Sequence, residues 1–364
     1  MSELERLAAS RLRHVPAYRP GTAGQGFTTG KLSSNEAALG SAPAIRAAVG
    51  ALRTLHRYPD VGAVATHLAQ QVGVTEGQVL LTNGSDELCY LIATLLLGPG
   101  RVAVVGDPCY QIDASASLVS GADLRRVPLV DGAHDLPAIA RAARGASVVW
   151  VPSPHNPTGV ACDSQALEKF LHEVSPNCAV VLDEAYRAFT DPALQPDIAR
   201  LLSRHPNLVV QRTLSKDWAL AGLRVGYALA SEGLISALRR ARPPFSVNSV
   251  ALTALHAGLG QEAWRGMAVD RVRHERTRLE RELQRLGISY FPSQASFVTA
   301  RIDHARMAPA LAASGIAVRP GEDLGLPGWV RISIGWAPQM ALLRQVLRRV
   351  AAAPHQQLPE RSDP

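Results

Sequence analysis

Of the 38 lysine and arginine residues in the sequence, three are lysine: Lys31, Lys169 and Lys216. Cationic surface positions in this chain take arginine, so each remaining lysine raises the question of whether an amine is required. An amine can condense with an aldehyde; a guanidinium cannot. Lys169 sits in the amphipathic pattern Leu167-Glu168-Lys169-Phe170-Leu171 and reads as a solvated helix residue. Lys31 precedes a strand-like start and has no motif around it. Lys216 differs: it closes Thr213-Leu214-Ser215-Lys216, and Gly222-Leu223-Arg224-Val225-Gly226-Tyr227 follows. Two hydroxyls and a guanidinium able to grip an anion with two N–H groups therefore stand beside the amine.

Three other segments carry groups that could serve the same site. Thr82-Asn83-Gly84-Ser85-Asp86-Glu87 follows an apolar run and opens a helical one. Gly84 permits a tight turn there, and the N–H groups of Ser85 and Asp86 would face an anion at the positive end of the helix. A plain helix cap would account for the same residues. Ser153-Pro154-His155-Asn156-Pro157-Thr158-Gly159 is a rigid loop presenting the Asn156 amide, or simply a turn. Val180-Val181-Leu182-Asp183-Glu184-Ala185-Tyr186 ends an apolar run in a carboxylate. Burial of that carboxylate is costly unless it meets a cation. A protonated pyridine nitrogen is such a cation, and pairing with Asp183 would keep the ring electron-poor. Tyr186, three residues on, could reach a ring hydroxyl; a helix N-cap at Asp183 is the alternative.

These segments need a scaffold that brings their ends together. Short apolar runs predict strands at Gln78–Thr82, Arg101–Val105, Leu124–Pro128, Ser147–Val151, Ala179–Asp183, Leu208–Arg212 and Val225–Ala228. Helical patterns lie between most of them: Ser85–Leu97, Gln111–Val119, Leu136–Ala143, Ser164–Glu173 and Asp191–Ser203. The alternation predicts an α/β fold with a mostly parallel, buried sheet covered by helices on both faces. Ligands of such sheets sit at the carboxyl ends of strands, where all four segments fall.

The texture changes near Arg242-Pro243-Pro244. A smaller α+β domain is expected over 246–352, after an irregular arm (1–40) and a large domain (41–245), with a frayed tail at 353–364. Strands are expected at Ile288–Phe291, Ser296–Ala300, Ile316–Arg319 and Val330–Ser333, and helices at Glu262–Leu286 and Pro338–Ala352.

The net charge of +7 invites a nucleic-acid reading. The densest basic stretch alternates Arg with Glu between Arg265 and Arg285, however, as on a solvated helix face with ion pairs. No zinc-finger, basic-zipper or RNP pattern is present. The cysteines (Cys89, Cys109, Cys162, Cys178) form no C-x-x-C pair, so no metal site is expected. Met1–Val15 lacks a long apolar stretch, and the apolar run at Leu88–Leu97 is too short to span a bilayer. A cytoplasmic enzyme is the expectation.

The order N-G-S-D-E, N-P-T-G, D-E-A-Y, T-x-S-K and G-L-R-x-G-Y resembles the fold-type-I pyridoxal-5′-phosphate aminotransferases, and within them the histidinol-phosphate aminotransferase branch, which includes related aromatic amino-acid aminotransferases and leaves a specialised-pathway substrate open. Val15-Pro16-Ala17-Tyr18, Leu32-Ser33-Ser34-Asn35-Glu36, Arg57-Tyr58-Pro59-Asp60, Pro244-Phe245-Ser246-Val247-Asn248 and Val330-Arg331-Ile332-Ser333 add to the likeness. The resemblance runs from about Val15 to Ala352. It implies a seven-stranded sheet, a homodimer and a ping-pong transfer of an amino group to a 2-oxo acid. It further implies that Lys216 binds the cofactor covalently and shuttles the substrate proton. Ser85, Asp86, Thr213, Ser215 and Arg224 would hold the phosphate, and Tyr110 would stack on the ring. Asn156 and Tyr186 would contact the ring oxygen, and Asp183 the ring nitrogen. Tyr58 would reach the partner subunit's phosphate site. Arg331 would clamp the substrate anion, with Tyr18, Asn35 and Arg319 around the substrate.

Asp113 departs from the pattern, because family members often carry Tyr there. A carboxylate facing the substrate side chain would repel a phosphate and welcome a cation or hydroxyl. A decarboxylase on the same scaffold would share every cofactor residue. A ligand-sensing regulator would need a DNA-binding domain, for which the roughly 30 residues before the fold leave no room. A serine-acylating S-x-x-K motif is excluded, since the residue three before Lys216 is Thr213.

Overall fold

The structure, a computed structural model, describes residues 2–19, 21, 30–302 and 304–352. The expected tail at 353–364 lies outside the described residues. Eleven strands occur among them: β1 (Gly30–Leu32), β2 (Val79–Thr82), β3 (Val102–Asp107), β4 (Asp123–Pro128), β5 (Val148–Pro152), β6 (Ala179–Asp183), β7 (Leu208–Thr213), β8 (Gly226–Ala230), β9 (Phe297–Ala300), β10 (Ile316–Pro320) and β11 (Val330–Ser333). Seven of them make one sheet in the order β2-β8-β7-β6-β5-β3-β4.

Burial from both sides explains why β5, β6 and β7 read as unbroken apolar runs. Successive side chains of a strand point to opposite faces. Val149, Val151, Val180, Leu182 and Val210 thus join one core, while Val148, Trp150, Val181 and Val209 join the other. The helix Ser164–Glu173 covers the first face with Leu167, Phe170 and Leu171, and Asp163 caps it by accepting from the N–H groups of Gln165 and Ala166. The helix Gly84–Leu96 covers the second with Leu88, Cys89 and Ile92.

The strand directions gather the site. β3 to β7 pair in parallel, while β8 runs antiparallel to both β7 and β2. β2 therefore ends at the same edge as β3, β5, β6 and β7. The reversed β8 begins there, which brings Arg224, two residues before it, to the edge where Lys216 follows β7.

A second sheet has the order β1-β10-β11-β9. Its first strand comes from the stretch expected to be an irregular arm. Leu32 is buried in the core of this sheet and anchors β1 parallel to β10. The arm also holds a helix, Glu3–Leu12, whose Ser2 and Glu5 form a reciprocal cap. The strand expected at Ile288–Phe291 reduces to a single bridge between Tyr290 and Ala300.

The two cores part later than the expected boundary at residue 245. The helix Ser249–Gly258 packs Ala251, Leu252, Ala254 and Leu255 into the first core, alongside Ile45 of the helix Pro43–Ala51. The Arg/Glu-rich helix Glu262–Arg285 also departs from its expected solvated face, because the final helix Ala337–Ala352 covers part of it. Glu275 is buried against Arg344 at 2.8 Å, and Glu282 accepts two bonds from Arg348 at 2.7 and 2.8 Å. Among the described residues no helix is long and apolar enough to cross a membrane, and no cluster of His, Cys, Asp or Glu could hold a metal ion.

Candidate active site

A cavity of about 1150 Å³ opens at the carboxyl edge of the large sheet. It is lined by Tyr18, Asn35, Ser85, Asp86, Tyr110, Asn156, Asp183, Tyr186, Thr213, Ser215, Lys216, Arg224, Arg319 and Arg331. Two of the residues singled out from the sequence are absent from its walls, Tyr58 and Asp113.

Lys216 sits beneath residues that lead out of β1. Its Nζ donates to the backbone carbonyls of Asn35 at 3.2 Å and Ser34 at 3.5 Å, and it lies 5.7 Å from the centre of the Tyr186 ring. Burial, reinforced by the Arg331 charge, lowers its pKa to about 8. The other lysines are engaged at the surface: Lys31 with Glu36 at 2.7 Å and Lys169 with Glu173 at 4.0 Å.

Asp183 ends β6 with one oxygen on the N–H of Ala185 at 2.9 Å and the other on the Gln211 amide at 3.1 Å. Both partners are neutral, and burial raises its pKa to about 7. A buried carboxylate lacking a cation is a place prepared for one.

Thr213, Ser215, Ser85 and Arg224 lie together at the start of the helix Gly84–Leu96. The Thr213 hydroxyl donates to Ser215 Oγ at 3.0 Å, and Arg224 Nη2 donates to Asp86 Oδ2 at 3.2 Å. Asp86 also accepts from the Tyr110 hydroxyl at 3.0 Å. Gly84 holds φ at +77°, and a Cβ there would stand 2.7 Å from Arg224 Nη2. This cradle of helix N–H groups, hydroxyls and a guanidinium fits a phosphate monoester. Gly84→Ala is expected to cost on the order of 1–2 kcal/mol in the left-handed conformation and to displace Arg224. Titration of the apo-protein with pyridoxal phosphate should show roughly tenfold weaker binding. Unchanged affinity would mean that the cradle is built elsewhere.

On the opposite wall, Arg319 and Arg331 are direct partners across β10 and β11, so their side chains share a face. Arg331 donates to Asn156 Oδ1 at 2.7 Å and to the Ser33 carbonyl at 3.1 Å, and its buried Nε has no partner. Arg319 donates to the Arg19 carbonyl at 2.6 Å and lies 3.6 Å from Asp323. Asn35 is held by Ser333 at 2.8 Å and donates to the Tyr186 hydroxyl at 2.9 Å, which leaves the phenol proton free to face the cavity.

One expectation changes. Asp113 does not face the substrate: it is buried behind the cavity wall, 3.6 Å from Cys89 Sγ, because the helix Gln111–Val119 turns that side chain towards the sheet. Tyr58 is exposed and stacks on Phe245 with ring centres 4.4 Å apart. The backbone carbonyls of Ser34 and Asn35 above Lys216, and the partners of Asp183, carry roles that side-chain motifs could not reveal. Gln211 was the available signal, an uncharged polar residue within the apolar run Leu-Val-Val-Gln-Arg-Thr.

The chain matches the family described as aminotransferase class I and II over residues 29–350. It is 38% identical over 322 residues to histidinol-phosphate aminotransferase 1 of Dechloromonas aromatica, covering 88% of this chain and 89% of that one. It is 37% identical over 342 residues to the histidinol-phosphate aminotransferase of Geobacillus thermodenitrificans, covering 90% and 94%. The fold superposes on histidinol-phosphate aminotransferase from Sinorhizobium meliloti in complex with pyridoxal-5′-phosphate with a TM-score of 0.85, at 24% identity over 94% of this chain and 96% of that one.

Proposed function

The chain belongs to the class I and II aminotransferases and is a pyridoxal-phosphate-dependent transaminase; on that footing we propose that its amino donor is histidinol phosphate. The observation that carries the choice is the buried pair Arg319 and Arg331 on the wall facing Lys216. Two adjacent guanidiniums suit a dianionic phosphate, and in the second half of the cycle the carboxylates of a 2-oxo diacid. The carboxylate that would have repelled a phosphate, Asp113, lies outside the cavity.

When bound, the cofactor supplies an aldehyde and a ring that takes up the charge left when the substrate Cα loses its proton. The residues divide the remaining work. Lys216 would hold the aldehyde carbon and, as a free amine, would move the Cα proton; its lowered pKa keeps a useful fraction deprotonated near neutrality. Asp183 would hold the proton on the ring nitrogen, Asn156 and the phenol of Tyr186 would bind the ring oxygen, and Tyr110 would contact the ring. Ser85, Thr213, Ser215 and Arg224 fix the phosphate, with Asp86 holding Arg224 in place. Arg331 and Arg319 orient the substrate anion, and Asn35 and Tyr18 close the pocket. The exposed Tyr58–Phe245 stack supports a homodimer in which Tyr58 reaches the partner subunit's phosphate site. Four cysteines free of disulfides fit a reducing cytoplasm.

The test is a half-reaction screen that follows conversion of the bound cofactor from its aldehyde to its amine form. Histidinol phosphate should convert it about 100-fold faster than histidinol, which lacks the phosphate, or phenylalanine. Equal rates for histidinol and its phosphate would remove the proposed donor.

A further inference from the structure

Behind Asp183, on the side away from the cavity, runs a buried polar chain that the roles above do not use. Gln211 of β7 is registered against Asp183 of β6, and its Nε2 donates to Asp183 Oδ2 at 3.1 Å. Its Oε1 accepts from Cys89 Sγ at 3.4 Å, and the same sulfur lies 3.6 Å from Asp113 Oδ1. Asp113 is fixed in turn. The Ser117 hydroxyl donates to its backbone carbonyl at 2.7 Å, and Trp150 Nε1 donates to Ser117 Oγ at 3.1 Å. Cys89, Gln211 and Ser117 are fully buried and Asp113 is 1% exposed. The surrounding core is Leu88, Ile92, Val181 and Val209, so apolar side chains would fill this space at lower cost.

The hydrogen-bond directions follow from counting protons. One thiol proton cannot serve both oxygens, and the shorter contact is to Gln211. Burial, with the nearby charge of Asp183, raises the Asp113 pKa well above its ordinary value, which favours its protonated form. The sulfur donates to the Gln211 carbonyl, the Gln211 amide group is left pointing its N–H at Asp183, and the sulfur and Asp113 Oδ1 share the longer contact. A flipped Gln211 would aim a carbonyl at a carboxylate and an N–H at the thiol. With Asp113 protonated, the chain adds no charge of its own behind Asp183.

We propose that Cys89, Gln211 and Asp113 are positioning residues, a neutral hydrogen-bond chain that orients Asp183 and keeps it ionised towards the ring nitrogen of the cofactor. This rests on the role given to Asp183 above, and the experiment separates the two. Holoenzyme is prepared with pyridoxal phosphate labelled with ¹⁵N in the ring, whose chemical shift reports whether that nitrogen is protonated. Folding of each variant is checked by its melting transition, and kcat and KM are measured alongside.

Wild type should show a protonated nitrogen. Cys89→Val, which is slightly larger and apolar and breaks the chain, should move the shift towards neutral pyridine. It should lower kcat about 3- to 10-fold while KM stays within about twofold. Cys89→Ser, which can donate and accept, should restore both. A second pair makes the same comparison at the far end: Asp113→Asn keeps a neutral donor and should behave as wild type, whereas Asp113→Leu should behave as Cys89→Val. If Cys89→Val does not fold, the Asp113 pair decides. A wild-type shift and kcat in Cys89→Val or in Asp113→Leu would overturn the inference, as would equal losses in Val and Ser at position 89. A neutral nitrogen in wild type would instead overturn the role of Asp183 itself, and the chain's purpose with it.

Discussion

Lys216→Ala is expected to fold with an unchanged melting transition and to lose turnover by on the order of 10⁴-fold. The residue lies under the backbone carbonyls of Ser34 and Asn35, and a water can take the place of its ammonium there. Structure therefore survives, while the covalent hold on the aldehyde and the proton shuttle are both lost. Borohydride treatment of the holoenzyme should attach the cofactor's mass to the peptide containing Lys216 in wild type and to no peptide in the variant. The pH dependence adds a check. Because the Lys216 pKa is lowered to about 8, capture of the cofactor by apo-protein should accelerate with rising pH and level off near 8. An ordinary lysine would keep accelerating towards 10.5. Full turnover in the variant, or a mass shift on a peptide lacking residue 216, would refute the assignment.

Asp183→Asn should lower kcat by about 10²- to 10³-fold, the loss expected when one partner of a buried charge pair is removed. Asparagine keeps the shape and can still accept from Ala185, but it cannot hold a proton on a ring nitrogen. Cofactor affinity should fall far less than kcat, because the phosphate cradle around Arg224 is untouched. The apo-protein should respond in the opposite sense. The folded-state pKa of Asp183 is raised from 3.8 to about 7, so folding takes up a proton at this site. The stability it contributes is present in full below pH 3.8 and is lost as pH rises towards 7. Asp183→Asn escapes that loss. Its apo form should melt higher than wild-type apo-protein at pH 8, with the difference closing towards pH 4, and cofactor should shrink the gap at pH 8. A lower melting temperature for the variant at pH 8 would show that Asp183 is not an uncompensated buried charge.

The strands that carry this chemistry were legible because burial on both faces leaves runs such as Ala-Val-Val-Leu that no surface element would tolerate. Their chemistry was legible because a carboxylate or lysine at the end of such a run demands an explanation. Three features escaped for different physical reasons. β1 is a three-residue strand held by tertiary pairing with β10, and it has too few residues to display a period. The solvated face assigned to the Arg/Glu helix ignored that a helix far along the chain could bring Arg344 and Arg348 to cover it. Asp113 was expected beside the substrate because family members often carry Tyr there, yet successive residues of a helix turn to different faces, and the cavity meets Ile112 and Ala114 rather than Asp113. Spacing located the helix; rotation about its axis decided which side of the wall the carboxylate occupies.

The ion-paired state of Lys31 and Lys169 has a practical consequence. An aldehyde meeting an ordinary protein surface reacts with whichever side-chain amines are exposed, and adventitious glycation competes with the intended attachment. Here the outer surface carries mostly guanidinium, and of its two lysines Lys31 pairs with Glu36 at 2.7 Å while Lys169, 80% exposed, lies 4.0 Å from Glu173. Dialdehyde crosslinkers and amine-directed resins therefore have almost no side chains to grip, and immobilisation of this protein calls for thiol, carboxyl or tag chemistry.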